Sequence, residues 1–141
     1  MAHVFEKHSI TAETALRIIE AAEHKANEIG QPMVIAVVDE SGVLKALLRM
    51  DRAPLLSVQV AQDKAYTAAG FGLSTDQWHD FIKNDPPLAA GAPSGIDRLV
   101  IFGGGYPIKV ADRIIGGLGV SGGHYAQDME VARAGLAVLG S

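Results

Sequence analysis

The sequence predicts an α+β domain, built as one five-stranded antiparallel sheet with helices packed on its faces. Of the 141 residues, 48% are apolar, which is enough for one substantial core. Short apolar runs separated by tight turns predict strands joined as hairpins. Amphipathic segments at a helical period precede, interrupt and follow these runs, and they predict the covering helices. We expect residues 1–141 to form a single domain, with residues 1–9 as a flexible N-terminal arm.

The first half of the chain predicts a helix followed by a strand hairpin. The helix is expected to begin near Thr11, a capping residue, and to end at Gly30, which Pro32 follows. Its apolar residues recur on one side at a helical period. The segments "MVIAVVDE" and "VLKALLRM" then predict two strands joined by a tight turn at "SG".

The second half predicts two helices, a loop, three strands and a last helix. "LLSVQVAQDKAYTAAGFG" and "STDQWHDFIKN" have the helical pattern, and "DPPLAAGAPSG" has the composition of a loop. Short strands are predicted at "RLVIFGG", "YPIKV" and "RIIGGLGVS", before a closing helix at "QDMEVARAGLAVLG". The predicted order is therefore α-β-β-α-α-β-β-β-α.

Composition excludes several classes of function. The formal net charge is −4, which argues against a nucleic-acid partner because such a surface needs a basic footprint. The absence of cysteine excludes disulfides, thiolate metal sites and a cysteine nucleophile. No histidine spacing predicts a metal site, and no apolar run or polybasic patch predicts a membrane partner. The N-terminus "MAHVFEKHSIT" lacks an apolar signal region, so we expect a cytoplasmic protein.

Residues 117–122 form a G-x-G-x-x-G pattern that does not predict a dinucleotide site. Such a site needs a second parallel strand and an acidic residue about 20 residues on, and the chain ends too soon for either. Gly116, Gly117 and Gly119 instead indicate a strand that bends, bulges or packs closely under a helix. Ser121, Gly122 and Gly123 lead into that last helix, whose free N–H groups predict either an anion site or ordinary capping.

Several motifs in fixed order resemble the GlcG/HbpS-like family, which includes the C-terminal domain of PduO-type proteins. The resemblance runs from Ile10 to Leu139 and is carried by "IAVVDESGVLKALLRMDRAPLLSVQVAQDKAYTAA", "IFGGGYPI" and "IIGGLGVSGGHYAQDMEVARAGL". It implies a profilin-like sandwich and homo-oligomers, from dimers to octamers. It also implies heme binding in some members, and a place in catabolic operons for others. The family's heme ligands share no single motif, so the resemblance assigns no ligand here.

His24 is the histidine that suits a heme ligand on an exposed helix face. It lies on the polar side of the first helix, one turn from Glu20 and Glu28. Imidazole is a common axial ligand of heme iron, and an exposed ligand suits a heme held at a subunit surface. A solvated histidine, or one in a subunit contact, fits the same pattern.

The start of the last helix predicts a general acid/base site. His124 and Tyr125 follow the glycines, and Asp128 lies one turn further along the same face. With Tyr106 and Lys64 they are candidates to act on an anionic substrate. An acidic residue that complements the helix dipole explains Asp128 equally well.

The "TDQWHDFIKNDPPLAAGAPSGIDR" segment is the part of the chain that matches the family pattern least. Trp78 and Phe81 predict core or interface packing, or alternatively the aromatic wall of a pocket with His79 as its polar group.

Two classes of function follow from these residues. The first is a heme-binding protein that ligates the iron through His24 or, alternatively, His124. The second is a lyase, isomerase or hydratase that acts on a carboxylate-bearing catabolic intermediate. The candidate catalytic residues are His79, His124, Tyr125 and Asp128. The candidate ligand-binding residues are His24, Lys64, Trp78, Tyr106, Ser121, Gly122 and Gly123.

Overall fold

The computed structural model describes residues 2–140, in which five α-helices surround a sheet of four strands. Met1, in the predicted arm, and Ser141 lie outside the described residues. In chain order the elements are α1 (Ala12–Ile29), β1 (Val34–Asp39), β2 (Leu44–Arg49), α2 (Leu55–Phe71), α3 (Thr75–Ile82), α4 (Pro86–Gly95), β3 (Gly105–Val110), β4 (Arg113–Ser121), α5 (Tyr125–Leu136) and a 3₁₀ turn (Ala137–Leu139).

Helix α1 has the ends that its capping residues predict. The Thr11 hydroxyl accepts a hydrogen bond from the Thr14 backbone N–H at 3.1 Å, which satisfies one free donor of the first turn. At the other end Gly30 has a φ of 72°, a left-handed conformation that glycine adopts without strain.

The sheet is antiparallel throughout, in the order β2-β1-β4-β3. The turn between β1 and β2 is held by Asp39, whose carboxylate accepts hydrogen bonds from the Ser41 and Val43 N–H groups at 2.9 and 3.0 Å. The predicted hairpin is confirmed. Strand β1 pairs with β4 as well, so the last strand of the chain lies in the middle of the sheet.

The prediction of five strands is wrong, because residues 98–104 do not form a strand. Its first residues bond to a helix side chain, and the segment reaches the sheet only at Gly104, whose carbonyl accepts from the Val120 N–H at 2.9 Å. The Thr67 hydroxyl accepts from the Val100 N–H at 3.1 Å and donates to the Arg98 carbonyl at 3.0 Å. The segment therefore lies along α2 and reaches the sheet where β3 begins.

The predicted loop at residues 85–95 is also wrong, because most of it is helix α4. Pro86 and Pro87 occupy the first two helical positions, where the missing N–H of proline costs no helical hydrogen bond. Asp85 caps the helix by accepting a hydrogen bond from the Leu88 N–H at 3.3 Å. The proline-rich composition that suggested a loop is thus the start signal of a helix.

The two faces of the sheet are covered by different helices. Ile35, Val37, Leu118 and Val120 pack on the α1 and α5 side, in the largest apolar cluster of the described residues. Val34, Ala36 and Val38 face α2. This alternation gives three layers, with the sheet between α1/α5 and α2.

Two glycines of β4 let α2 lie directly on the sheet. A Cβ on Gly119 would overlap the Ala61 carbonyl oxygen, and one on Gly117 would overlap the Ala65 carbonyl oxygen. The close-packing interpretation of these glycines is therefore confirmed.

Residues 2–9 contain no helix or strand, and they contact the rest of the chain at a few points. Lys7 pairs with Glu40 at 2.9 Å, and Arg113 hydrogen-bonds to the His8 ring at 2.7 Å. Within residues 2–140, no helix combines the length and apolar character needed to span a membrane.

Candidate functional site

A buried ion pair joins α2 to the start of α5. The Lys64 ammonium lies 2.9 Å from an Asp128 carboxylate oxygen, and it donates a second hydrogen bond to the Val120 carbonyl at 2.9 Å. The Lys64 side chain is 0% exposed. The other Asp128 oxygen accepts from the Gly123 N–H at 3.1 Å. Lys64 is thus fully buried.

Burial shifts the pKa of both members of this ion pair. It lowers the pKa of Lys64, and the Asp128 carboxylate opposes that effect. It raises the pKa of Asp128, against the opposing charge of Lys64 and the hydrogen bond from Gly123. The pair therefore depends on both partners, since either charge alone would be buried without compensation.

The N-terminus of α5 is capped by its own side chains. His124 Nδ1 accepts a hydrogen bond from the Ala126 N–H at 3.1 Å. The Gln127 side chain accepts from the His124 N–H at 3.1 Å. Together with the Gly123–Asp128 bond, these contacts occupy N–H groups that an anion would otherwise take. Ser121 is buried at the end of β4, where it pairs with Val34.

A cleft of about 630 Å³ lies between α3, the segment before β3, and α5. Its volume is within the roughly 300–1,000 Å³ typical of small-molecule sites. The walls are mostly apolar, with polar groups contributed mainly by α3. The lining residues are Asp76, His79, Asp80, Ile101, Phe102, Gly103, Tyr125 and Met129.

Phe102 connects the cleft to the buried ion pair. Its ring lies 5.1 Å from the Lys64 ammonium, a cation–π distance, while 49% of the residue stays exposed. Phe102 thus lies between the buried ammonium and the open cleft. A Cβ on the nearby Gly104 would come within 2.6 Å of the Lys64 Nζ, so the backbone approaches the pair closely here.

One carboxylate oxygen of Asp76 is unusual for a residue in the wall of a cleft. Among residues 2–140, its Oδ1 atom is buried and has no hydrogen-bond partner. A buried acceptor left without a donor is costly, and such groups are rare in native structures.

Tyr106 lies close enough to Asp76 for that charge to act on it. The Tyr106 hydroxyl accepts a hydrogen bond from Arg133 at 3.2 Å. Burial raises the pKa of Tyr106, Arg133 opposes the rise, and Asp76 adds to it.

His24 and Trp78 lie away from this cleft. His24 is exposed on α1, in a surface groove that also contains Glu20, Glu23 and Glu28. Trp78 is 5% exposed and packs with Ile82 and other apolar residues on the other side of α3.

The structure therefore brings some of the predicted residues together and separates others. His79 and Tyr125 line one cleft, and the Lys64–Asp128 pair lies beneath its Phe102 wall. The His124 ring packs on Tyr125, with ring centroids 4.1 Å apart, but does not line the cleft.

Sequence reasoning missed six of the eight residues that line the cleft, among them Asp76, Phe102 and Met129. Asp76 lies three residues before His79, and Met129 lies four residues after Tyr125, which are the spacings of one helix face. Those spacings were an available signal. No such signal indicated Phe102, because residues 98–104 were expected to be a strand.

The chain matches one protein family over most of its length. The family model described as "Haem degrading protein HbpS-like" matches residues 10–137. An uncharacterized 15.0 kDa protein in the dhaT-dhaS intergenic region of Citrobacter freundii is 37% identical over 128 residues, covering 91% of this chain and 90% of that protein.

Solved structures share the fold over nearly the whole chain. The crystal structure of the Klebsiella pneumoniae protein ORFY has a TM-score of 0.90 at 32% identity, covering 96% of this chain and 94% of that one. The crystal structure of the PduOC:heme complex has a TM-score of 0.84 at 30% identity, covering 94% of this chain and 96% of that one.

Proposed function

Because this chain belongs to the HbpS-like family, we propose that it binds heme, and that the cleft lined by His79 is where it does so. The observation that carries the proposal is the similarity to PduOC, which was solved with heme, over 94% of this chain. We also propose that the chain forms a profilin-like sandwich and that it acts in heme handling or in a catabolic operon.

The residues of the cleft fit a heme group. A porphyrin is a large apolar plane, and Ile101, Phe102 and Met129 offer it apolar contact. His79 offers an imidazole, a common axial ligand of heme iron. When bound, heme would supply a redox-active iron; His79 would hold it through the imidazole, and the apolar side chains of the cleft would partly exclude water from it.

The groove around His24 fits the same group less well. Its apolar lining is limited to small or short side chains, Ala21, Ala134 and Val138. Its carboxylates Glu20, Glu23 and Glu28 lie in the same groove as the cations Arg17 and Lys25, so its limited apolar wall, and not its charge, makes it fit heme less well than the cleft does. His24 is nonetheless the ligand first expected from sequence, so the test must separate the two histidines.

Replacing His79 with alanine is expected to weaken hemin binding about tenfold or more. The loss of a second-shell partner already costs about 10–100-fold at a metal site, and loss of the ligand itself should cost no less. The measurement is a hemin titration of the purified protein, followed in the Soret band. His24→Ala and His124→Ala are matched controls and should titrate like the wild type.

Two results would contradict this assignment. A Soret change that survives in His79→Ala but is lost in His24→Ala or His124→Ala would place the heme elsewhere on the chain. A wild-type protein that shows no saturable change at all would overturn heme binding itself.

Asp76, His79 and Tyr125, which line the same cleft, favour a second candidate function there. Their carboxylate, imidazole and phenol side chains are the groups that a small hydroxylated substrate would meet. These groups could then act in general acid/base catalysis of the lyase, isomerase or hydratase type. Asp76 and Asp80 would repel a substrate carboxylate placed beside them, so such a substrate would have to present its hydroxyl end to the cleft.

Assembly into homo-oligomers, from dimers to octamers, stays a prediction from the family resemblance. Light scattering checks it, since a mass that is a multiple of 14.8 kDa is expected.

A further inference from the structure

Helix α4 is apolar on every side, but the rest of the chain hardly covers it. From residue 86 to residue 96 the sequence has no charged residue, and Ser94 carries the single polar side chain. Among the ten residues of α4, only Ala92 is buried, and it packs in one apolar cluster with Trp78 and Ile82 of α3. A helix that is hydrophobic all round is normally buried, so α4 lacks the cover that its composition predicts.

Exposed side chains on both sides of α4 extend this apolar area. Phe71 is 59% exposed and Phe81 is 51% exposed, and their ring centroids lie 6.0 Å apart. Ile96 is 45% exposed, and with Phe71 and Trp78 it lines a pocket of about 260 Å³ between α2, α3 and the segment after α4. Leu88 of α4 is 39% exposed. These four exposed side chains and the other exposed residues of α4 are termed the α4 surface.

The α4 surface is large enough for a protein interface. A fully covered phenylalanine buries about 150–250 Å², so the half-exposed Phe71 and Phe81 together present about 200 Å². With Leu88, Ile96 and the alanines and prolines of α4, the apolar area reaches about 500 Å², and exposed apolar patches beyond a few hundred Å² mark interaction sites. Two such surfaces placed face to face would bury about 1,000 Å², the least that a specific interface needs.

The middle of α4 has smaller side chains than the fold of one copy requires. A Cβ on Gly91 would meet nothing within 4 Å, so no contact inside the chain explains a glycine at this position. Glycine inside a helix destabilises that helix relative to alanine. Together with its neighbours Ala89 and Ala90, Gly91 would let a second helix approach α4 closely.

We propose that the α4 surface is the contact between two copies of this chain, with the two α4 helices side by side across a two-fold axis. An uncharged apolar surface is complementary to itself, which is what such an axis requires. A membrane partner would favour a basic rim, whereas the charged residues next to α4 in the sequence are Lys83, Asp85 and Asp97. The proposal rests on the predicted assembly into homo-oligomers and assigns that assembly a surface.

Sedimentation of the protein over a dilution series measures this contact directly. The wild type should have a mass of at least twice 14.8 kDa. Phe81→Glu and Ala90→Glu each place a carboxylate in the contact twice, so both variants should dissociate at concentrations about tenfold higher or more. Ala90 is exposed and lies on the side of α4 opposite to Ala92, so its substitution leaves the core intact.

Leu56→Glu is the matched control for these two variants. Leu56 is 80% exposed in α2 and lies outside the α4 surface, so this variant should associate like the wild type. Dissociation caused by Leu56→Glu, with Phe81→Glu and Ala90→Glu unchanged, would place the contact at the start of α2 and overturn the proposal.

Two further results would overturn the proposal, and they differ in what else they remove. An oligomeric wild type whose mass survives in both Phe81→Glu and Ala90→Glu would remove the α4 surface alone. A wild type that keeps the mass of one chain at about 100 μM would remove the predicted assembly as well, because an interface of sufficient area holds at micromolar concentration or below. The hemin titration is independent of both results, because Phe81 and Ala90 do not line the His79 cleft.

Discussion

Replacing Gly119 with alanine is expected to lower the free energy of unfolding by about 3 kcal/mol or more, at the upper end of overpacking effects. The new Cβ would overlap the Ala61 carbonyl oxygen, which is helix backbone and has no rotamer to move into. Helix α2 would have to separate from the middle of the sheet, where β4 lies between β1 and β3. Urea unfolding followed by circular dichroism measures the loss.

Gly70→Ala is the matched control for this prediction. Gly70 is inside α2, and an added Cβ there meets nothing within 4 Å. This variant should gain about 0.5–1 kcal/mol, because alanine loses less backbone entropy in a helix than glycine does. A Gly119→Ala protein as stable as the wild type would contradict the close contact between α2 and β4.

Replacing Asp128 with asparagine is expected to cost about 3–5 kcal/mol of stability at neutral pH. The substitution keeps the shape of the side chain but leaves the Lys64 ammonium buried without a counter-charge, with only neutral partners such as the Val120 carbonyl. Asp63→Asn is the matched control, because the Asp63–Arg98 pair at 2.8 Å is partly exposed and should contribute about 1 kcal/mol or less.

The cost of Asp128→Asn should shrink as the pH rises. Burial lowers the pKa of Lys64 in the folded protein, so the unfolded chain binds more protons between that pKa and the ordinary lysine value. Between these two pKa values the free energy of unfolding increases with pH. Removal of Asp128 lowers the pKa of Lys64 in the folded protein further, so this pH range begins at a lower pH. Unfolding measured at about pH 7 and about pH 9 should therefore show a smaller deficit at the higher pH. An equal deficit at both would show that Lys64 is not the cause.

Local signals in the sequence predict much of the fold. Thr11 and Gly30 bound α1 because caps are made by adjacent residues, and Asp39 sets the β1–β2 turn in the same way. The errors arise where a tertiary contact decides the conformation. Residues 98–104 have the pattern of a strand, but the Thr67 hydroxyl, more than 30 positions earlier in the chain, takes the hydrogen bonds of the Arg98 carbonyl and the Val100 N–H.

The sequence indicated several residues of the candidate site, but it did not indicate which of them lie together. Trp78 and His79 are adjacent in sequence, yet they face different pockets, because successive helical residues point about 100° apart. Lys64 and Asp128 are 64 positions apart, and no local pattern indicates that they pair. The cleft joins α3 and α5 through Phe102, and this depends on where residues 98–104 run.

The position of bound heme tests the central claim most directly. Ferric hemin broadens or shifts the backbone signals of nearby residues in a proton–nitrogen correlation spectrum, and diamagnetic zinc protoporphyrin is the matched control. Binding in the cleft predicts that these effects centre on His79, Phe102 and Met129. Effects centred on Glu20, His24 and Glu28 would contradict the cleft assignment and place the heme on the outer face of α1.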